Sequence, residues 1–260
     1  MFLDGFLYNH PRLRLALSRV IPDLEITISL LHRTFTISTR EEIALLRLAW
    51  LINSSPTGHE LASLVTLAGF VGEGSTFVDV GANVGLYSVP MASLGQVLGY
   101  KVVAVEPNLE TAKRLKKNLA GYPCAIVIEA AASNIEGWTD MVGTSSSGTF
   151  HIERANEHKR YLGIKEARVR LFRLDLLPQL LDDTRLVVKI DVEGHESEVL
   201  DGMAGLFAGG RISAVMIDGF EDRTIPSRLT QSGFELYDGR SLCSFRAGEH
   251  FNLLAVSAQR

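Results

Sequence analysis

A chain of 260 residues with 46% apolar residues can build one α/β domain with an N-terminal extension, or two small domains. Its formal charge of −4 gives no electrostatic footprint for non-specific nucleic-acid binding. Its two cysteines, Cys124 and Cys243, lie too far apart for a metal-ligand spacing or a disulfide framework, and both read as reduced thiols. Asp4 interrupts Phe2, Leu3, Phe6 and Leu7, and no basic region precedes them, so the start is a poor signal peptide. No apolar run approaches the length of a membrane span, and a cytoplasmic protein is the expectation. Those N-terminal apolar residues offer a surface for a second subunit.

Residues 1–70 read as an extension of short strands and two helices packed on a catalytic domain, residues 71–260. Residues 25–37 alternate and are β-branched, which predicts a hairpin. Thr39-Arg40-Glu41-Glu42 forms a capping box ahead of a helix over 43–52, and Thr57-Gly58-His59-Glu60 repeats it. In the second helix Leu61, Leu64, Val65 and Ala68 fall on one face.

From Thr76 the pattern is strand, turn, helix, repeated. Strands are expected at 76–80, 101–105, 125–128, 185–190 and 214–217, with 234–237 and 253–256 as an antiparallel pair closing the sheet. Asn108 is placed to cap a helix whose inner face is Ala112, Leu115 and Leu119. Lys113, Arg114, Lys116 and Lys117 form its solvated face. Alternating strands and helices, with the closing antiparallel pair, predict a doubly wound, mostly parallel, seven-stranded sheet with helices on both faces. The connection near 136–175 is too long for a simple crossover and reads as an insertion covering a site.

The first turn is Phe77-Val78-Asp79-Val80-Gly81-Ala82-Asn83-Val84-Gly85-Leu86. A dinucleotide fingerprint starting at Gly81 needs glycines where Asn83 and Leu86 stand, and no Gly-Lys-Ser/Thr follows to make a phosphate-cradling loop. The remaining features are two acidic strand ends, Asp79 and Glu106, around a looser glycine turn. A carboxylate at the second position can accept both hydroxyls of a ribose. That suits a nucleoside cofactor without a pyrophosphate.

Together with Val105-Glu106-Pro107-Asn108 and Val188-Lys189-Ile190-Asp191-Val192-Glu193-Gly194-His195-Glu196, this turn resembles the signature segments of the FkbM-type methyltransferases. The resemblance covers about half the chain. It implies a class I, Rossmann-like methyltransferase fold, S-adenosylmethionine as cofactor, and a hydroxyl of a sugar, glycan or polyhydroxylated secondary metabolite as acceptor. By the same resemblance, Asp79, Gly81, Ala82, Asn83 and Gly85 border the methionine of the cofactor. Glu106 holds its ribose, Pro107 and Asn108 lie beside the adenosine, and Ala131 and Ala132 line the adenine slot.

Asp191 follows the fourth strand, beside the first loop where the methyl donor should lie, and is a cofactor-binding candidate as well as a catalytic one. Transfer of a methyl group to oxygen needs an aligned acceptor and a group that takes the hydroxyl proton. His195 fits a general base, because a helix start disfavours imidazolium. Asp191 and Glu193 are placed to share that role or to orient the acceptor. The alternative for Glu193, His195 and Glu196 is that they only cap and charge the helix. Lys189 stands in an apolar strand, is expected to pair with a carboxylate, and is counted with His195, Asp191 and Glu193 among the catalytic candidates. The spacing requires no metal, although Asp191 and Asp218 at neighbouring strand ends could hold Mg²⁺. The competing functions are an NAD-type oxidoreductase and a non-catalytic nucleoside-binding module.

Overall fold

The computed structural model describes residues 22–30, 33–39, 58–143, 150–152, 167–181, 185–192, 194–246, 248 and 251–258. The predicted helix over 43–52, Glu193 and the apolar residues Phe2, Leu3, Phe6 and Leu7 lie outside the described residues. Among the described residues the first elements are an antiparallel hairpin, β1 (Glu25–Leu30) and β2 (Arg33–Ser38), and then α1 (Gly58–Ala68). The main sheet then begins with β3 (Thr76–Val80), α2 (Ser88–Leu98), β4 (Lys101–Val105), α3 (Leu109–Leu119) and β5 (Ala125–Ile128).

Four strands follow: β6 (Ala131–Ala132), β7 (Gly137–Gly143), β8 (Phe150–Ile152) and β9 (Ala167–Phe172). They form a separate sheet in the order β6-β9-β7-β8. A short helix α4 (Leu177–Leu180) leads back to β10 (Leu186–Ile190), α5 (Glu196–Asp201), α6 (Ala204–Ala208) and β11 (Ile212–Gly219). The chain closes with α7 (Ile225–Gln231), β12 (Phe234–Asp238) and β13 (Phe251–Ser257).

The seven main strands run in the order β12-β13-β11-β10-β3-β4-β5. β10 pairs in parallel with both β3 and β11, and β13 is antiparallel to β11 and β12, as the sequence predicts. The winding leaves β3 outward to β4 and β5, then returns to β10 on the other side of β3. The direction of winding reverses between β3 and β10, and doubly wound sheets bind ligands beside the carboxyl ends of the strands at such a switch point. Alternate residues enter two cores. Val78, Val188 and Val215 face one, and Phe77, Val187 and Met216 face the other. Asp79 and Lys189 therefore point to the same side as Phe77 and Val187.

Asn108 caps α3 as expected, accepting from the backbone of Glu110 and Thr111, and Ala112, Leu115 and Leu119 are buried. The hairpin docks on α3 through Asn118, which accepts from Thr36 N at 2.6 Å and donates to Val84 O at 2.8 Å. Lys117 pairs with Glu25 across the same contact.

Three expectations need correction. In α1 the inner stripe is Ser63, Leu64 and Leu67, while Leu61 and Val65 are exposed. Ser63 sets this rotation, because its hydroxyl lies 3.4 Å from the Asn252 side chain behind the sheet. Arg114 is buried rather than solvated, within 3.4 Å of Thr111 Oγ1. The single helix expected after Asp191 breaks into α5 and α6 at Gly202, where a Cβ would lie 2.0 Å from the Ser133 carbonyl oxygen. Among the described residues no helix is long and apolar enough to cross a membrane.

Candidate functional site

The site grows from the end of β3. Gly81 N and Ala82 N both donate to Val105 O, at 3.0 and 3.1 Å, which folds the turn back over β4. Gly81 (φ 80°) and Asn83 (φ 50°) adopt left-handed backbone. A Cβ on Gly81 would stand 1.9 Å from the Asp191 carbonyl oxygen, so only glycine lets the two strand ends close together. Asp191 N donates to Val80 O at 3.0 Å, completing this contact. Gly85 is shut in on its other side by Leu115, with 2.9 Å for a missing Cβ.

Glu106 is bound into the same turn. Its Oε2 accepts from Asn83 N at 2.9 Å and its Oε1 from Asn108 N at 2.9 Å. The carboxylate therefore has a fixed orientation, and each oxygen keeps further acceptor capacity. Asp79 is 1% exposed, and its Oδ2 accepts from Ser88 Oγ at 2.6 Å. Asp79 Oδ1 and Asn83 Oδ1 are buried acceptors without a donor among the described residues. Two such orphans on one turn are what a ligand rich in N–H and O–H groups would satisfy.

Lys189, 4% exposed, is the cation of the site. It stands opposite Asp79 in the β3–β10 register. Its Nζ donates to Asp191 Oδ2 at 3.0 Å and lies 4.4 Å from the centre of the Tyr87 ring. Burial opposes this charge, but Asp191, Asp79 and Asp218 outweigh it and hold the ammonium above the ordinary lysine range. Burial pushes the Asp79 carboxyl up, while Lys189 and the Ser88 hydroxyl pull it back and Asp191 adds to the rise. Beyond β11, Asn252 donates to Asp218 Oδ1 at 3.1 Å and accepts from Arg240 Nε at 2.9 Å, in the amide orientation that satisfies both.

His195 stands just before α5, and its side chain makes no helix-capping bond. Its Nε2 lies 3.1 Å from Ser133 Oγ and its Nδ1 3.5 Å from Glu198 Oε2. Glu196 does act at the helix start, accepting from Gly194 N at 2.7 Å, and burial pushes its carboxyl up. Ala131 and Ala132 are buried in β6 beside β9. A groove of about 610 Å³ opens next to them, lined in part by Pro107, Ile128, Glu129, Trp138, Arg168 and Arg170.

A family model described as the methyltransferase FkbM domain matches residues 79–227, more than half of the chain. The chain belongs to this family. No match was found among curated proteins. Several solved structures resemble this methyltransferase at low identity. An FkbM methyltransferase from Methylobacillus flagellatus shares 15% identity over 72% of this chain and 44% of that one, with a TM-score of 0.42. A precorrin-6y C5,15-methyltransferase from Geobacter metallireducens shares 13% over 75% and 87%, at 0.41. Magnesium protoporphyrin IX methyltransferase from Synechocystis, with bound S-adenosylmethionine, shares 15% over 78% and 81%, at 0.42. The chain thus spans less than half of the first of these proteins.

The residues singled out from the sequence fall into three groups. Asp79, Gly81, Ala82, Asn83, Gly85, Glu106 and Asn108 come together around the β3 turn, and Pro107 opens onto the groove. Lys189 and Asp191 join them through the β3–β10 contact. His195 lies farther along, against Ser133 and Glu198. Among the described residues no group of three or more His, Cys, Asp or Glu side chains is placed to hold a metal. Asp191 is engaged by Lys189, so Mg²⁺ gains no support. Sequence reasoning missed Tyr87 and Ser88 as contacts of the charged pair, and Ser133 and Glu198 as contacts of His195. Their roles depend on long-range packing, and no spacing signals them.

Proposed function

We propose that this methyltransferase takes its methyl group from S-adenosylmethionine and transfers it to a hydroxyl of a sugar, glycan or similar polyhydroxylated acceptor. The observation that carries the cofactor is the β3 turn, where a fixed Glu106 carboxylate and two donorless buried acceptors surround a backbone that admits no Cβ at Gly81. Glu106 would accept the ribose hydroxyls. Asp79 and Asn83 would take the ammonium of the methionine end. When bound, the cofactor supplies an electrophilic methyl on a sulfonium, whose departing sulfur keeps the electron pair of the broken bond.

The protein has to align the acceptor and remove its proton. In the tautomer with its proton on Nδ1, facing Glu198, His195 offers the Nε2 lone pair as base. Ser133 Oγ then sits where an acceptor hydroxyl would donate. Asp191 is 40% exposed at the strand end and is available to orient the acceptor. The segment after β10 reads Asp191-Val192-Glu193-Gly194, without the Asn/Asp-Pro-Pro-Tyr/Phe pattern of many N-methylating enzymes, which favours oxygen as the nucleophile. The exposed Trp138 ring, with the Arg168 guanidinium 5.8 Å from its centre, offers an apolar platform and N–H donors of the kind a sugar ring uses.

Thermal unfolding with S-adenosylmethionine, S-adenosylhomocysteine or NAD tests the cofactor. A ligand that binds only the folded state, at a hundredfold over its Kd, stabilises by about 2.7 kcal/mol. Both S-adenosyl compounds are expected to raise Tm, and NAD is not. A rise with NAD alone overturns the proposal in favour of an oxidoreductase. Binding without transfer of a labelled methyl to any of a panel of saccharides and polyols would leave a nucleoside-binding module.

A further inference from the structure

We propose that Lys189 is a positioning residue of the cofactor site: its ammonium, set beside Asp79 in the sheet register, keeps that buried carboxylate ionised at neutral pH, so that Asp79 can hold the ammonium of the methyl donor. The inference rests on the methyltransferase reading above and adds a role for a side chain that touches neither cofactor nor acceptor.

The geometry is specific. Lys189 and Asp79 are paired positions on the two central strands, pointing to the same face of the sheet. Asp79 is 1% exposed, and its Oδ2 accepts at 2.6 Å from a neutral hydroxyl, Ser88 Oγ. A carboxylate so deeply buried is costly to charge unless a cation stands nearby. Lys189 is that cation, and it is itself held on three sides. Asp191 accepts its proton at 3.0 Å, Tyr87 presents its ring at 4.4 Å, and Asp218 faces it from β11. On the β4 side the partner of Asp79 is the neutral Ala104. Arg240 bonds Asn252, which in turn donates to Asp218. Glu196 adds negative charge near Asp191. Among the described residues the cluster therefore holds more carboxylates than cations, and a cationic ligand on Asp79 narrows that excess.

The test measures the affinity for S-adenosylmethionine by calorimetry from pH 6.5 to 8.5, referred to the ligand's ammonium form because its own α-amino group titrates at about 7.7 to 8.0. The wild type is expected to vary by less than about threefold. In Lys189→Met, Asp79 loses its counter-charge and binds a proton, so affinity should be weak at pH 6.5. It should then recover by about tenfold per pH unit until Asp79 ionises. Asp79→Asn and the double variant should bind weakly with no pH slope. A Lys189→Met profile as flat and tight as wild type overturns the proposal, and so does a slope that survives in the double variant. If Lys189→Met does not fold but the double variant does, removing the buried charge has rescued it, in support of the proposal. If neither folds, the ¹³Cγ shift of Asp79 in the unliganded wild type decides. An ionised signal at pH 7 supports the role, and a protonated one ends it. Wild-type protein that binds no S-adenosyl compound would defeat the cofactor reading instead, and the same carbon signal would still judge Lys189.

Discussion

The two turns that meet at the centre of the sheet are built by different means. The turn after β3 is held by backbone. Gly81 and Ala82 donate to Val105 O, Glu106 clasps Asn83 N, and no Cβ fits at Gly81. The turn after β10 is held by side chains: Lys189 with Asp191, Glu196 on Gly194 N, and His195 between Ser133 and Glu198. A turn fixed by backbone bonds and a close approach at glycine keeps one geometry, which suits an invariant ligand such as a cofactor. A turn built from titratable groups is suited to handling a proton. The contacts they share, Asp191 O over Gly81 and Asp191 N on Val80 O, make the position of the second turn depend on the first.

Gly81→Ala should break this arrangement most severely. The new methyl would overlap the Asp191 carbonyl at 1.9 Å and the residue would keep a left-handed φ of 80°. A cost of about 3 to 5 kcal/mol is expected from overlap and backbone strain together. Chemical denaturation measures it, and cofactor binding should be lost in whatever folds. A variant as stable as wild type, with normal binding, would mean that the strand ends are not in contact.

The contrast between the turns also explains what the sequence could reveal. Elements set by local pattern were readable: the strands, the Asn108 cap, the glycine turn, and the need of Lys189 for a carboxylate. Features set by a distant partner were not. Leu61 and Val65 look like an inner stripe until Ser63 meets Asn252, and Arg114 looks solvated until α3 is seen against the hairpin. Gly202 looks like a tolerated helix glycine until Ser133 lies against it. The insertion announced itself by length and Ser-rich composition, but nothing local foretold that Ala131-Ala132 would pair with Leu171-Phe172 to start a second sheet.

His195→Ala probes the side-chain-built turn. A general base contributes about 10²- to 10⁴-fold, so kcat should fall at least about a hundredfold once an acceptor is known. Cofactor affinity should stay within about twofold, because no cofactor-binding role falls on His195. Glu198→Gln, which keeps the shape but weakens the hold on Nδ1, should give a smaller fall in kcat. Full turnover in His195→Ala would reduce the residue to a packing element between Ser133 and α5.

The smallest expected effect, and the most informative about the backbone-built turn, belongs to Glu106→Ala. Cofactor affinity should drop by about 10- to 100-fold, or roughly 1.4 to 2.7 kcal/mol. Such a loss is ambiguous alone, because Glu106 also accepts from Asn83 N and Asn108 N, so the variant could loosen the turn without any ribose contact. A 2′,3′-dideoxy analogue of S-adenosylhomocysteine separates the two roles. If Glu106 grips the ribose hydroxyls, the analogue binds wild type more weakly than the parent compound, and that difference disappears in Glu106→Ala. If Glu106 serves only the backbone, wild type and variant show the same difference between the two ligands, and the ribose assignment falls while the architecture of the turn stands.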